Sequence, residues 1–196
     1  MAGEAVNENF VHLNSFGAGR QESTLKTATK PYSERCGALR MSEINTYQNR
    51  KVVWVSYSEL LEGNFPESDW ICLMTSSASK PDSDTFDRFT REAIKSGILE
   101  FKGHGKFGEL LHDWFDETMV IMETMENHSA IEVMTTWHND ESLAETFWQC
   151  FFATCLPETI DFEKLKIVCT DLDGLDRKDE LANYLNRFQQ GWLPKN

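Results

Sequence analysis

Apolar and polar positions follow two regimes that meet near residue 50. Residues 1–48 show no sustained period and are scattered with Gly, Ser, Thr, Asn and Pro31. That is the pattern of a tail without a continuous face to bury. From residue 51 onward, short apolar runs alternate with longer stretches of helical period. Residues 52–57, 70–75, 98–102, 130–137 and 165–170 read as strands. Between the second and third, Phe86, Phe89, Ala93 and Ile94 line one side of a helix. Asp84, with Asp87 three residues on, is its expected N-cap, and Gly97 closes it. Over residues 106–124, Phe107, Leu110, Leu111, Trp114, Phe115 and Met122 recur at i, i+3, i+4 spacing, the inner stripe of a long amphipathic helix. A further helix is expected from a cap at Asn139 or Asp140 to residue 155, and a last one from Asp176 to near Gly191.

Strands separated by helical stretches imply βαβ crossovers. The expected fold is therefore an α/β three-layer sandwich with a mostly parallel sheet of about five strands. A chain of 196 residues has room for one domain of ordinary size. Residues 1–48 are assigned to a flexible tail and residues 49–196 to a single α/β domain. Met41 reads as a second initiation point, which would make the upstream stretch dispensable.

Composition narrows the class. The five cysteines, Cys36, Cys72, Cys150, Cys155 and Cys169, are odd in number and form no C-x-x-C pair. They read as buried free thiols of a reducing compartment. No apolar run approaches the roughly 18 residues of a membrane span, and the N-terminus lacks a signal-peptide pattern. A cytoplasmic location is expected.

Charge changes the picture more. The net charge is −13, and residues 51–196 alone hold 27 acidic against 13 basic side chains. Between Lys106 and Lys164 lie 57 residues with 13 acids and no Lys or Arg. Such a surface repels nucleic acid and anionic lipid, so neither is an expected partner. It suits a basic protein.

Candidate chemistry is sparse. The run Val168-Cys169-Thr170-Asp171-Leu172-Asp173-Gly174 resembles the nucleophile motif of haloacid-dehalogenase-like phosphatases. However, Leu175 stands where that family has threonine, and too little chain follows to carry the family's later motifs. A turn after a strand accounts for the run. The Gly103-His104-Gly105-Lys106-Phe107-Gly108 segment sits between strand and helix, where anions can bind, but its spacing fits neither a Rossmann nor a Walker loop and a tight turn suffices. No cofactor fingerprint or metal-ligand spacing is present, so neither group is expected.

The most specific stretch runs from Met134 to Trp148, MTTWHNDESLAETFW. It resembles the signature MTTWH-x-D-E-x-L-x-E-x-FW of an uncharacterised domain-of-unknown-function family of small bacterial α/β proteins. The resemblance spans roughly residues 51–172, leaves the tail and the last helix outside, and implies a single α/β domain without a known activity. Ligands of open α/β sheets sit beyond the carboxyl ends of strands. On the expected topology that edge gathers His104, Trp137, His138 and Asp140, with Asp171 nearby. A histidine beside a carboxylate suits acid/base work.

Two functions remain in view. The first is a non-catalytic, immunity-like or regulatory module that binds a basic protein through its acidic side. The second is a small-ligand binder or hydrolase using His104, His138 and Asp140. The acidic span and the lack of a complete catalytic motif favour the first.

Overall fold

The computed structural model describes residues 41–195. The expected tail up to residue 40, the proposed initiation at Met41 as it concerns those residues, and Cys36 lie outside the described residues.

Strand β1 (Ser42–Tyr47) turns back antiparallel on β2 (Arg50–Trp54). The two-residue turn between them, Gln48 and Asn49, has φ of 51° and 60°. Two consecutive left-handed residues match the right-handed twist of the flanking strands. Residues 42–47 lack a sequence pattern and are expected in the tail, yet they form a strand at the end of the domain's sheet. Without an Asn-Gly or Asp-Gly pair, the turn has no strong local signature.

Helix α1 (Tyr57–Leu61) follows, opened by a capping box between Ser56 and Glu59. The expected strand over residues 52–57 thus ends early, because Ser56 and Glu59 satisfy the amides of a helix start. Then come β3 (Trp70–Thr75), α2 (Ser83–Lys95), β4 (Ile98–His104) and α3 (Gly108–Met125). The chain continues through β5 (Met134–His138), α4 (Leu143–Phe152), β6 (Lys166–Asp171) and α5 (Lys178–Gln189). The cap of α2 is Asp82, not Asp84: its carboxylate accepts from Thr85 N at 2.9 Å.

The sheet order is β1-β2-β6-β3-β4-β5, with every pairing parallel except β1·β2. The fold is α/β, and its five parallel strands correspond to the five expected ones. Two cores flank the sheet. Leu60 of α1, Phe86 and Phe89 of α2, and Leu111 and Phe115 of α3 pack on one face. Phe147 and Phe151 of α4 and Leu181, Leu185 and Phe188 of α5 pack on the other. Strand residues alternate between them: Ile71 and Leu73 join the second core, Cys72 and Met74 the first. Strands buried on both faces read as continuous apolar runs, which is why β3 was plain in the sequence.

One part of the α4 side is not apolar. Glu100 and Lys102 of β4 are each 1% exposed and pair at 2.6 Å. Lys102 Nζ also donates to Ala153 O at 3.1 Å. Nearby Arg50, also buried, donates to Cys150 O at 2.7 Å. Cys72, Cys150 and Cys169 are buried free thiols, whereas Cys155 is exposed in the loop after α4, contrary to expectation. Among the described residues no helix is long and apolar enough to cross a membrane.

Candidate functional site

The connections leaving β2, β3 and β4 pass to the face covered by α1, α2 and α3, whereas those leaving β5 and β6 pass to the α4–α5 face. Adjacent strands whose connections part in this way open a crevice at their carboxyl ends. The strand order gives three such places: β4/β5, β6/β3 and β2/β6.

At β4/β5, His104 and His138 are paired in register. His138 is 7% exposed, with both ring nitrogens engaged. Nδ1 donates to Glu141 Oε2 at 2.7 Å, and Nε2 meets Thr136 Oγ1 at 3.1 Å. Gln149 of α4 donates to the same Glu141 oxygen at 2.7 Å. His104 Nε2 donates to the Glu141 carbonyl at 3.1 Å, while its buried Nδ1 has no hydrogen-bond partner among the described residues. Burial lowers the pKa of both rings, against the upward pull of Glu141. Both are therefore held neutral, and this geometry ties the end of β5 to the start of α4.

The four sequence candidates are thus not one cluster. Asp140 is exposed, and the carboxylate on His138 belongs to Glu141. Nor does Asp140 or Asn139 cap α4. That cap is Ser142, whose Oγ accepts from Glu145 N at 3.3 Å. Asn139 instead accepts from Glu109 N at 2.9 Å, in the first turn of α3. Trp137 points to the opposite side of β5 from His138, as strand alternation requires. It is 49% exposed, and its ring meets His112 of α3 edge-on at 4.6 Å.

The β6/β3 junction is filled by the protein's own carboxylates. Asp171 is buried and accepts from Thr75 Oγ1, from Leu175 N at 3.0 Å and from Arg177 Nε at 2.8 Å. Asp173 accepts from Ser77 N at 2.7 Å and Ala78 N at 2.9 Å, in the loop after β3. The Asp-Leu-Asp-Gly run is therefore a brace between two loops. The glycine segment after β4 is likewise a packing device. A Cβ on Gly103 would lie 2.6 Å from Gly108 O, and one on Gly108 would lie 2.7 Å from Gly103 O.

The third junction is open. Between β2 and β6, α1 and the β6–α5 turn enclose a cleft of about 550 Å³. Trp54, Ser56, Tyr57, Ser58, Leu175 and Lys178 are among its walls. The sequence does not show it because α1 has no helical period of its own, and the run of residues 171–174 on its other wall reads as a turn. Among the described residues, no group of three or more His, Cys, Asp or Glu side chains is arranged to hold a metal ion.

These features define a doubly wound α/β domain with a carboxyl edge partly braced and partly open. The chain belongs to the DUF7684 family, a domain of unknown function, whose match covers residues 54–188. The match extends into α5, so the last helix lies inside the family's domain and not outside it as expected. No curated protein matches the chain.

Proposed function

We propose that the domain is a non-catalytic binding module that docks a basic protein segment along its β5 edge. The observation that carries this reading is Trp137, a large aromatic ring half-exposed on the strand that is last in the sheet order among the described residues. Edge strands are usually blunted by Lys, Pro or a bulge, and Met-Thr-Thr-Trp-His contains neither Lys nor Pro. Met134, on the other side of β5, is also 41% exposed, as is Val120 of α3 at 57%. Apolar side chains on both sides of a strand that is last in the sheet order among the described residues suit a partner that adds a strand of its own.

Charge selects the partner. Helix α3, β5 and α4 all lie within the stretch devoid of Lys and Arg. Asp113 and Asp116 flank His112 beneath the Trp137 ring. A second copy would bring the same acids against them, whereas a basic segment is attracted. The histidine pair at β4/β5 has its hydrogen bonds largely spent inside the fold and is assigned a bracing role.

The test is capture of a partner by the immobilised protein, followed by affinity measurement on the purified pair. Trp137→Ala should weaken binding about 30-fold, as loss of a central aromatic anchor does, with little change in the melting temperature. Asp113→Lys and rising salt should weaken it further. Binding that is indifferent to both substitutions and to salt would remove this reading.

A further inference from the structure

We infer that the crevice between β2 and β6 is a small-molecule site, separate from the β5 edge, for an uncharged ring compound bearing hydroxyl groups. Its place is the first argument. It opens at the carboxyl ends of two strands whose connections diverge, where doubly wound sheets bind ligands. Its volume of about 550 Å³ is that of a site for a molecule of one or two rings.

The lining defines the chemistry. The charges on the β6–α5 wall are paired within the protein. Asp171 is held by Arg177 at 2.8 Å, Arg177 also reaches Glu180 at 3.1 Å, and Asp176 pairs with Lys178 at 3.0 Å. An ionic ligand would have to break one of these pairs, and an anion would also meet the net charge of −13. An uncharged ligand meets neither obstacle. On the α1 wall, Ser56 Oγ is engaged in the helix cap, donating to Glu59 Oε2 at 2.7 Å, so the hydroxyls offered to a ligand are those of Ser58 and, from β1, Ser42. Burial raises the pKa of Tyr57, so its hydroxyl stays protonated. Trp54, Leu61, Leu172 and Leu175 supply apolar surface for the face of a ring. Sugars and nucleosides share this combination of hydroxyls and a flat apolar face.

The experiment titrates the full chain with adenosine, uridine and methyl glucoside, and in parallel with adenosine monophosphate. Binding is read by tryptophan fluorescence and by melting temperature. At least one uncharged probe should bind saturably, at least tenfold tighter than the monophosphate. The nucleoside and glucoside arms distinguish the two sources of the chemistry. Leu175→Trp and Ser58→Trp fill the cleft from opposite walls at an exposed residue each, so each should lower affinity at least tenfold without lowering the unliganded melting temperature. The inference is overturned if no uncharged probe binds, if the monophosphate binds as tightly, or if binding survives both filling substitutions.

Discussion

Lys102 lies on the α4 side of the sheet with its Nζ 2.6 Å from Glu100, and solvent reaches neither side chain. Burial pushes the Glu100 carboxyl up, while Lys102 and Arg50 pull it back down. Removing one partner of such a pair leaves an uncompensated charge. Lys102→Met should therefore cost about 3–5 kcal/mol, and the joint replacement with Glu100→Leu should cost clearly less, both measurable by urea unfolding. Histidine protonation sets a pH dependence. In the unfolded chain His104 and His138 take up protons near pH 6.5, approximately. In the folded protein burial delays uptake to lower pH. Between those points the unfolded state binds more protons, so stability is full above about pH 6.5 and falls as the solution is acidified. Unfolding midpoints measured from pH 7.5 down to 5 should show that slope, and His104→Gln with His138→Gln should flatten it. A slope unchanged in the double variant would place the titrating groups elsewhere.

At the scale of the element, β1 is the sharpest case. Tyr47 at its end packs edge-on against Phe151 at 5.0 Å and lies 6.0 Å from Phe188, so the strand covers part of the α4–α5 core. Each aromatic contact of this kind contributes about 0.5–1.5 kcal/mol beyond area burial. Tyr47→Ala should cost about 2 kcal/mol in all, lowering the melting temperature by roughly 4–8 °C, and a chain beginning at Arg50 should lose at least as much. An unchanged melting point in both would mean that β1 is dispensable. The sequence showed β3, β4, β6 and the apolar side of α2 because burial on both faces, or on one helical stripe, imposes a period. It hid β1, whose residues 42–47 are largely exposed or half-buried, and α1, whose five residues are fixed by the Ser56 and Glu59 hydrogen bonds. The candidate site was legible in part. His104 and His138, expected in the loops just past their strands, are the last residues of β4 and β5 at the carboxyl edge. Glu141 was missed by one position because the cap of α4 slid from Asp140 to Ser142, and Trp137 belongs to a different surface because successive strand residues face apart.

For the molecule as a whole, the two proposed surfaces lie apart along the sheet: the cleft between β2 and β6 and the docking strand β5, with β3 and β4 between them. Strand β6 is the last strand in the chain yet pairs with both β2 and β3. Those two strands have no other link in the sheet among the described residues, so within the sheet the β1–β2 hairpin and the β3–β4–β5 unit are joined only when β6 inserts; outside it, α1 packs on α2. A chain stopped at residue 160 should therefore give no cooperative unfolding transition, although it retains five of the six strands; a sharp transition in that fragment would show that the halves can join without β6. On the ribosome the same arrangement has a cost in time. Residues 166–171 must be synthesised and clear the exit tunnel before the centre of the sheet can close. At about 5–20 residues per second, the edges of β2 and β3 wait several seconds unpaired. Nascent chains of this protein should be clients of whatever shields open strands during translation.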